Sequence, residues 1–221
     1  LIERVINLTD FKEKNDLKKT DGKKRSLIKI PKLEDANLAG TSKGKECTLI
    51  LTEGDSAKTF AISGLSIIGR DYYGVFPLRG KFINVRDKTP NEIGRNQEII
   101  HLKQILGLQS AKEYKSVDQL RYGKIMILTD ADDDGRHIKG LLINFFEHFW
   151  PSLLDIEDFV QSFSTPVVKV TKGGSSHSFY TMGEYDSWKE SNQNGKGWNI
   201  KYYKGLGTST SNEAKSYFKE M

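Results

Sequence analysis

The run Lys124-Ile125-Met126-Ile127-Leu128-Thr129-Asp130-Ala131-Asp132-Asp133-Asp134-Gly135 passes from unbroken apolar residues to four carboxylates within a few positions. A short apolar run bounded by a turn reads as a buried strand. The acids at its end constrain the chain further. Two carboxylates about 4 Å apart repel by roughly 4 kcal/mol at an effective dielectric near 20, so a cluster this dense needs compensation. A divalent cation supplies it most directly, and Mg2+ prefers a few carboxylates together with water and phosphate oxygens. The run Cys47-Thr48-Leu49-Ile50-Leu51-Thr52-Glu53-Gly54-Asp55-Ser56 repeats the design of apolar strand, acids and helix. Two acid-tipped strands in one α/β domain point to one shared metal site.

The helix after the acids carries the clearest periodicity. Ile138, Leu141, Leu142, Phe145, Phe146 and Phe149 recur at helical spacing, and Pro151 stops the run. Its positive dipole end would face the carboxylates, the arrangement in which open α/β sheets bind ligands at strand carboxyl ends. Around it we expect helices over Ser56 to Ile68, entered through Asp55 or Ser56, and over Asn96 to Leu106, closed by Gly107. Short strands are expected at Tyr73 to Phe76, Phe82 to Val85, Pro166 to Val170, Phe179 to Met182 and Trp198 to Lys204. A Gly173-Gly174 hairpin would join the third and fourth of these, and Thr210-Ser211-Asn212-Glu213 is a capping box for a last helix. Residues 1–46 are poorly periodic. Lys12 to Arg25, with seven Lys and Arg, has the composition of a solvated connector.

Composition narrows the class. In 221 residues, 37% are hydrophobic and no stretch is long and apolar enough for a transmembrane span. The single cysteine, Cys47, offers no disulfide framework and reads as a small buried hydrophobe. The Asn7-Leu8-Thr9 sequon is then a coincidence. A net charge of +5 around an acidic cluster suits a protein that holds a polyanion and presents metal to it.

Several motif readings fall away on their residues. Asp130-x-Asp132-x-Asp134-Gly135 opens like an EF-hand loop, but position 12 is Leu141 and a strand precedes it. Gly40-Thr41-Ser42-Lys43-Gly44-Lys45 misses a Walker A loop by one spacer residue, and Glu46 stands where Ser or Thr is needed. A glycosyltransferase Asp-x-Asp lacks any sign of a nucleotide-sugar pocket. An Asp-x-Asp phosphohydrolase, with Asp130 as phosphoryl acceptor, remains a rival, as does a non-catalytic DNA-binding module. The four histidines show no metal-ligand spacing; His137 reads as support behind the acids.

Four motifs in order carry a resemblance: Glu53-Gly54-Asp55-Ser56-Ala57, Pro77-Leu78-Arg79-Gly80-Lys81, the Asp130 to Gly135 cluster with His137-Ile138, and Tyr203-Lys204-Gly205-Leu206-Gly207-Thr208. Together they resemble the TOPRIM region of type IIA DNA topoisomerases, and Ile138 to Phe145 is similar to the eukaryotic branch. The likeness runs from about Leu33 to the end. It implies an α/β, Rossmann-like, mostly parallel sheet flanked by helices, with an N-terminal linker and a C-terminal α+β extension. Residues 1–46 would connect from an ATPase region, 47–161 form the metal-binding domain, and 162–221 lead towards a winged-helix domain.

The resemblance also implies roles. Glu53, Asp130 and Asp132 would hold Mg2+ (Mn2+ or Ca2+ as substitutes) against the scissile phosphate, with Asp134 supporting or sharing a second ion. A tyrosine from another domain would attack the phosphorus, leaving a 5′-phosphotyrosine and a free 3′-OH whose proton Glu53 helps move. Arg79, Lys81, Asn84 and Lys204 would contact the backbone of double-stranded DNA. ATP would act only through the absent ATPase domain, the whole enzyme would be a homodimer, nuclear if eukaryotic, with a viral or organellar setting as the alternative, and this fragment alone would be inactive. Ala131, Asp133 and Arg136 depart from the eukaryotic pattern at spacer positions, which leaves the ligands in place and bears on drug response and fine DNA contacts.

Overall fold

A parallel sheet organises the chain. In a computed structural model that describes residues 15–25, 28–219 and 221, strands β1 (Thr48–Glu53), β2 (Tyr73–Leu78), β3 (Lys124–Leu128) and β4 (Val160–Phe163) lie in the order β2-β1-β3-β4. All three pairings are parallel. Both faces of such a sheet must be covered, which is why β1 and β3 read as continuous apolar runs.

Period-two alternation divides these side chains between two layers. Leu49, Leu51, Phe76, Ile125 and Ile127 face a core built with α3 (Gln97–Leu106) and α4 (Asp133–Phe149). Ile50, Val75, Met126 and Leu128 face α1 (Gly54–Ile68) and the last helix, α7 (Ser211–Lys219), through Phe60, Leu65, Ala214 and Phe218. Burying a Leu, Ile or Phe fully is worth about 1.5–3 kcal/mol, so each strand is anchored from both sides. A short helix α2 (Pro90–Arg95) precedes α3, and α5 (Pro151–Leu154) follows α4.

After β4 the chain builds a smaller antiparallel sheet, β6-β5-β7, from β5 (Val168–Lys172), β6 (Ser175–Phe179) and β7 (Asn199–Tyr202). Gly173 and Gly174 both have positive φ, 54° and 85°, which suits the two-residue turn between β5 and β6. Helix α6 (Met182–Ser191) packs Tyr185 and Trp188 against Val168, Val170 and Phe179. The chain then returns to the large sheet through α7. Its helix start is the expected capping box: the Glu213 amide donates to Thr210 Oγ1 at 3.2 Å, and the Thr210 amide donates to Glu213 Oε2 at 2.8 Å.

Four expectations need correction. Helix α1 begins at Gly54, with no side-chain cap, because φ of +73° at Gly54 turns the strand directly into the helix. Phe82 to Val85 is no strand: Asn84 Oδ1 accepts from the Arg86 amide and caps a 3-10 turn over Val85–Asp87, while Phe82 and Val85 anchor it in the core. The strand expected at Phe179 to Met182 is β6, which ends at Phe179 because a Thr181/Glu184 capping box opens α6.

The fourth concerns the N-terminal connector. Residues 1–14, 26 and 27 lie outside the described residues, but the described part of the connector packs rather than floats. Lys103, 3% exposed, donates to Leu17 O at 2.8 Å and Thr20 Oγ1 at 2.6 Å and pairs with Asp21 at 2.9 Å. Asp35 pairs with buried Arg121 and accepts from the Tyr122 hydroxyl. Ile30 and Ala36 sit in the core. Lysine-rich composition hid this docking, since the partners lie far along the chain. Among the described residues no helix is long and apolar enough to cross a membrane.

Candidate functional site

The strand order places the acids. From β1 the chain goes to one side to make β2 and then to the other to make β3, so the crossover direction reverses between β1 and β3. Ligands of open α/β sheets bind at that switch, outside the carboxyl ends of the strands. Thr52 pairs with Leu128, and the next residues along are Glu53 and Thr129, with Asp130 one further on. The sheet therefore brings the two acidic segments of the sequence together.

Each acid has a different local anchor. Asp132 caps α4, its Oδ1 accepting from the Gly135 amide at 2.8 Å. This satisfies one of the orphan donors of the helix and draws negative charge to its positive end. Asp130 Oδ1 accepts from the Leu206 amide at 2.7 Å. A Cβ on Gly205 would lie 2.3 Å from Asp130 Oδ2, so only glycine permits the backbone to pass this close. Asp134, in the first turn of α4, pairs with Lys81 at 2.8 Å. Asp133 points outward and pairs with Arg136 one turn on.

Glu53 differs from the aspartates. Its Oε2 is buried and has no hydrogen-bond partner among the described residues, and the same holds for Thr129 Oγ1 nearby. Burial first, then the charges of Asp130, Asp132 and Asp134, pushes the Glu53 carboxyl above the ordinary carboxylate range, with a partial offset from the Asp130 backbone. An orphaned buried carboxylate oxygen is costly, and the same three charges that raise the pKa are relieved by a cation. The donor set, hard carboxylate oxygens alone, suits Mg2+, Mn2+ or Ca2+ rather than a soft metal. Among the described residues no three His, Cys, Asp or Glu form a ready-made metal cage. Asp130, Asp132 and Asp134 are each held by one contact with the protein. These residues fit a hard cation that enters with water and phosphate oxygens completing its sphere.

Three of the four expected phosphate contacts, Arg79, Lys81 and Asn84, lie on the segment after β2. The Arg79 amide donates to Glu98, and the Arg79 side chain lines a small recess with Lys32 and His101. Gly80, with φ of +73°, turns the chain so that Lys81 reaches Asp134. Hydrogen bonding to Asp134 raises the Lys81 ammonium, and the same bond lowers the Asp134 carboxyl. The Asn84 amide group is engaged within the protein, with Oδ1 accepting from Asn144 at 2.8 Å and Nδ2 donating to Asp87 at 2.5 Å. Lys204 is exposed, immediately before Gly205. Sequence reasoning assigned no role to Gly205 and Leu206; a glycine-flanked leucine just after a strand was the available sign of close backbone approach. It also passed over the Lys32–Asp55 pair, at 2.6 Å, which joins the N-terminal segment to the turn after Glu53.

Comparison with known proteins agrees with this fold. The Toprim domain family matches residues 48–161, and the C-terminal associated domain of TOPRIM matches residues 163–221. DNA topoisomerase 2 of Bombyx mori is 57% identical over all of this chain, which spans 14% of that protein. DNA topoisomerase 2 of Acanthamoeba polyphaga mimivirus is 53% identical over 99% of the chain and 18% of its own length. The crystal structure of the Plasmodium falciparum topoisomerase II DNA-binding, cleavage and re-ligation domain superposes with a TM-score of 0.85 at 56% identity. That match covers 89% of this chain and 27% of the other. With its parallel sheet, its acid-tipped strands and a match over more than half of its length, the chain belongs to the Toprim family.

Proposed function

We propose that this chain is the divalent-cation-binding part of an ATP-hydrolysing type II DNA topoisomerase, which cuts and rejoins both strands of a duplex with a tyrosine supplied by another domain. One observation carries the reading: Glu53 and Asp130 stand at the tips of adjacent parallel strands, and Glu53 keeps a buried oxygen without a partner. The named relatives, DNA topoisomerases 2, support the reaction class.

Glu53, Asp130 and Asp132 would hold Mg2+, with Asp134 beside them and Mn2+ or Ca2+ as substitutes. The bound ion would lower the charge on the reacting phosphate and its leaving oxygen. Glu53 would give a proton to the leaving 3′ oxygen on cutting and take it back on rejoining. Lys81 and Asp134 form a surface pair, 55% and 61% exposed. Solvent screens such a pair, so Lys81 exchanges Asp134 for a DNA phosphate at little cost. Arg79 and Lys204 extend the same phosphate track. Asn84 joins it only by giving up its bonds to Asp87 or Asn144, and its first task is to hold the turn. ATP is handled by a separate domain, and the assembled enzyme is a nuclear homodimer.

In the full-length protein, Asp130→Ala is expected to reduce DNA cleavage to background at limiting Mg2+. Unchanged cleavage would refute the assignment. The 221-residue chain alone is expected neither to relax supercoils nor to hydrolyse an aryl phosphate. Turnover that disappears in Asp130→Asn would instead establish a phosphohydrolase.

A further inference from the structure

The Tyr203-Lys204-Gly205-Leu206-Gly207-Thr208 loop reaches Asp130 from a different part of the chain, and one carboxylate holds both of its ends. Glu213 Oε1 accepts from Lys201 Nζ at 2.8 Å and from the Tyr203 hydroxyl at 2.5 Å, before the loop. Glu213 Oε2 accepts from the Thr210 amide at 2.8 Å and Thr210 Oγ1 at 3.0 Å, after the loop. Between these two ties, Leu206 is 3% exposed among Phe60, Leu128 and Phe218. Its amide is then delivered to Asp130 Oδ1, and Gly205 packs on Asp130 Oδ2.

We propose that Glu213 is a positioning residue for the metal centre: by tying the two ends of the loop it sets the Leu206 amide and Gly205 against Asp130, and so fixes the orientation in which that carboxylate meets a divalent cation. The inference rests on the metal reading above. Capping alone accounts for only half of the geometry. A capping-box glutamate needs its own helix start, whereas Glu213 also gathers Lys201 and Tyr203 from the strand side. A carboxylate offers about four lone-pair positions, so Asp130 can hold the Leu206 amide and still present oxygen to a hard cation. Partners that orient metal ligands from behind typically change metal affinity 10–100-fold when removed. Charged hydrogen bonds such as those of Lys201 to Glu213 resist displacement better than neutral ones.

The test is Mn2+ binding to the 221-residue chain, followed by electron paramagnetic resonance, beside thermal unfolding. Glu213→Gln retains an acceptor for the cap but loses the charge that gathers Lys201 and Tyr203. It is expected to weaken Mn2+ about tenfold or more, at temperatures where the variant remains folded. Tyr203→Phe removes one tie without altering the cap and is expected to weaken Mn2+ several-fold. Gly205→Ala tests the contact itself. With φ of 168° its backbone is extended, so alanine meets no conformational barrier and acts only through its approach to Asp130; it is expected to weaken Mn2+ at least as much as Glu213→Gln. Unchanged Mn2+ affinity in folded Glu213→Gln and Tyr203→Phe, with affinity lost in Asp130→Ala, would overturn the positioning role and leave the metal reading intact. Unchanged affinity in Asp130→Ala would overturn the metal reading instead. If Glu213→Gln does not fold, Tyr203→Phe decides in the same way.

Discussion

The two sheets of this protein carry their information differently. The parallel sheet is buried on both faces, with Leu49, Ile50, Leu51, Ile125 and Leu128 all 0% exposed, and its chemistry is confined to the strand tips. The antiparallel sheet has one buried face: β6 shows only Phe179 buried and β7 has no buried residue. Its stability comes from aromatic contacts such as Trp188 edge-on to Trp198 at 5.2 Å and from side-chain caps. Yet the smaller region contributes backbone to the site, through the loop between β7 and α7. A rigid core supplies the carboxylates, and a lighter appendage orients one of them.

If the parallel sheet dominates stability, the largest effect belongs to its core. Phe146, 0% exposed, packs edge-on against Phe145 and Phe159. Phe146→Ala is expected to cost about 3–5 kcal/mol in urea unfolding. Phe179→Ala, at the rim of the small sheet with 8% exposure, should fall at or below the lower end of that range. It should also leave the amides of β1 and β3 protected from hydrogen exchange. Loss of that protection would show that the two sheets open as one unit.

The seam between the regions gives a smaller effect. A Cβ on Gly64 of α1 would lie 2.3 Å from the Phe218 ring of α7. Overpacking costs about 1–3 kcal/mol, and the gain in helix propensity from Gly to Ala offsets up to about 1 kcal/mol. Gly64→Ala is therefore expected to destabilise by at most roughly 2 kcal/mol, with exchange raised first in α7. Protection lost uniformly would mean that α7 is fully part of the parallel core.

Acid separates the two regions by sign. Burial would raise Glu213, but hydrogen bonds from Lys201, Tyr203 and Thr210 outweigh it and hold the carboxyl at about 2. Its folded value lies below its unfolded one, so its contribution is complete above about pH 4.5 and is lost as the pH falls towards 2. Glu53 runs the other way. Its folded value is raised by burial and by three aspartates, so the folded state binds the proton more tightly and loses stability as pH rises through that value. Glu213→Gln should flatten the acid limb below pH 4.5. Glu53→Gln should flatten the limb above it, and saturating Mg2+ should have a similar effect there. Equal profiles for wild type and Glu213→Gln would mean that the carboxylate is solvated in the folded chain.

Legibility followed the same division. The strands β1 and β3 and helix α4 were readable because buried parallel strands and a periodic helix leave dense apolar patterns. The pairing of Glu53 with the aspartates followed from the same runs. Phe82 and Val85 misled, since with Ile83 they make a short apolar run that reads as a buried strand, whereas the fold uses the two as anchors of a capped turn. Helix α6 was missed because only Tyr185 among its residues is buried, which leaves almost no amphipathic signal. The Lys103 and Asp35 networks were out of reach for another reason. Each joins residues more than 80 positions apart, and local pattern contains no trace of such pairs. The contact of Leu206 with Asp130, 76 positions apart, belongs to the same class.

The smallest expected effect on stability tests the exposed rim of the site. Lys81 lies 2.8 Å from Asp134, and both side chains are more than half exposed. Solvent screening leaves such a pair worth little, so Lys81→Ala is expected to leave the unfolding midpoint unchanged. Its effect should appear in DNA binding instead. Each phosphate contact releases condensed counterions, and losing one lowers the magnitude of the slope of log K against log salt by about 1, with similar weakening across sequences. Asp134→Ala supplies the opposite case. It frees Lys81 from its partner and removes a negative charge facing the DNA, so binding at low Mg2+ should tighten. A folded Lys81→Ala variant with an unaltered slope would assign Lys81 to Asp134 alone, and the phosphate track would then begin at Arg79.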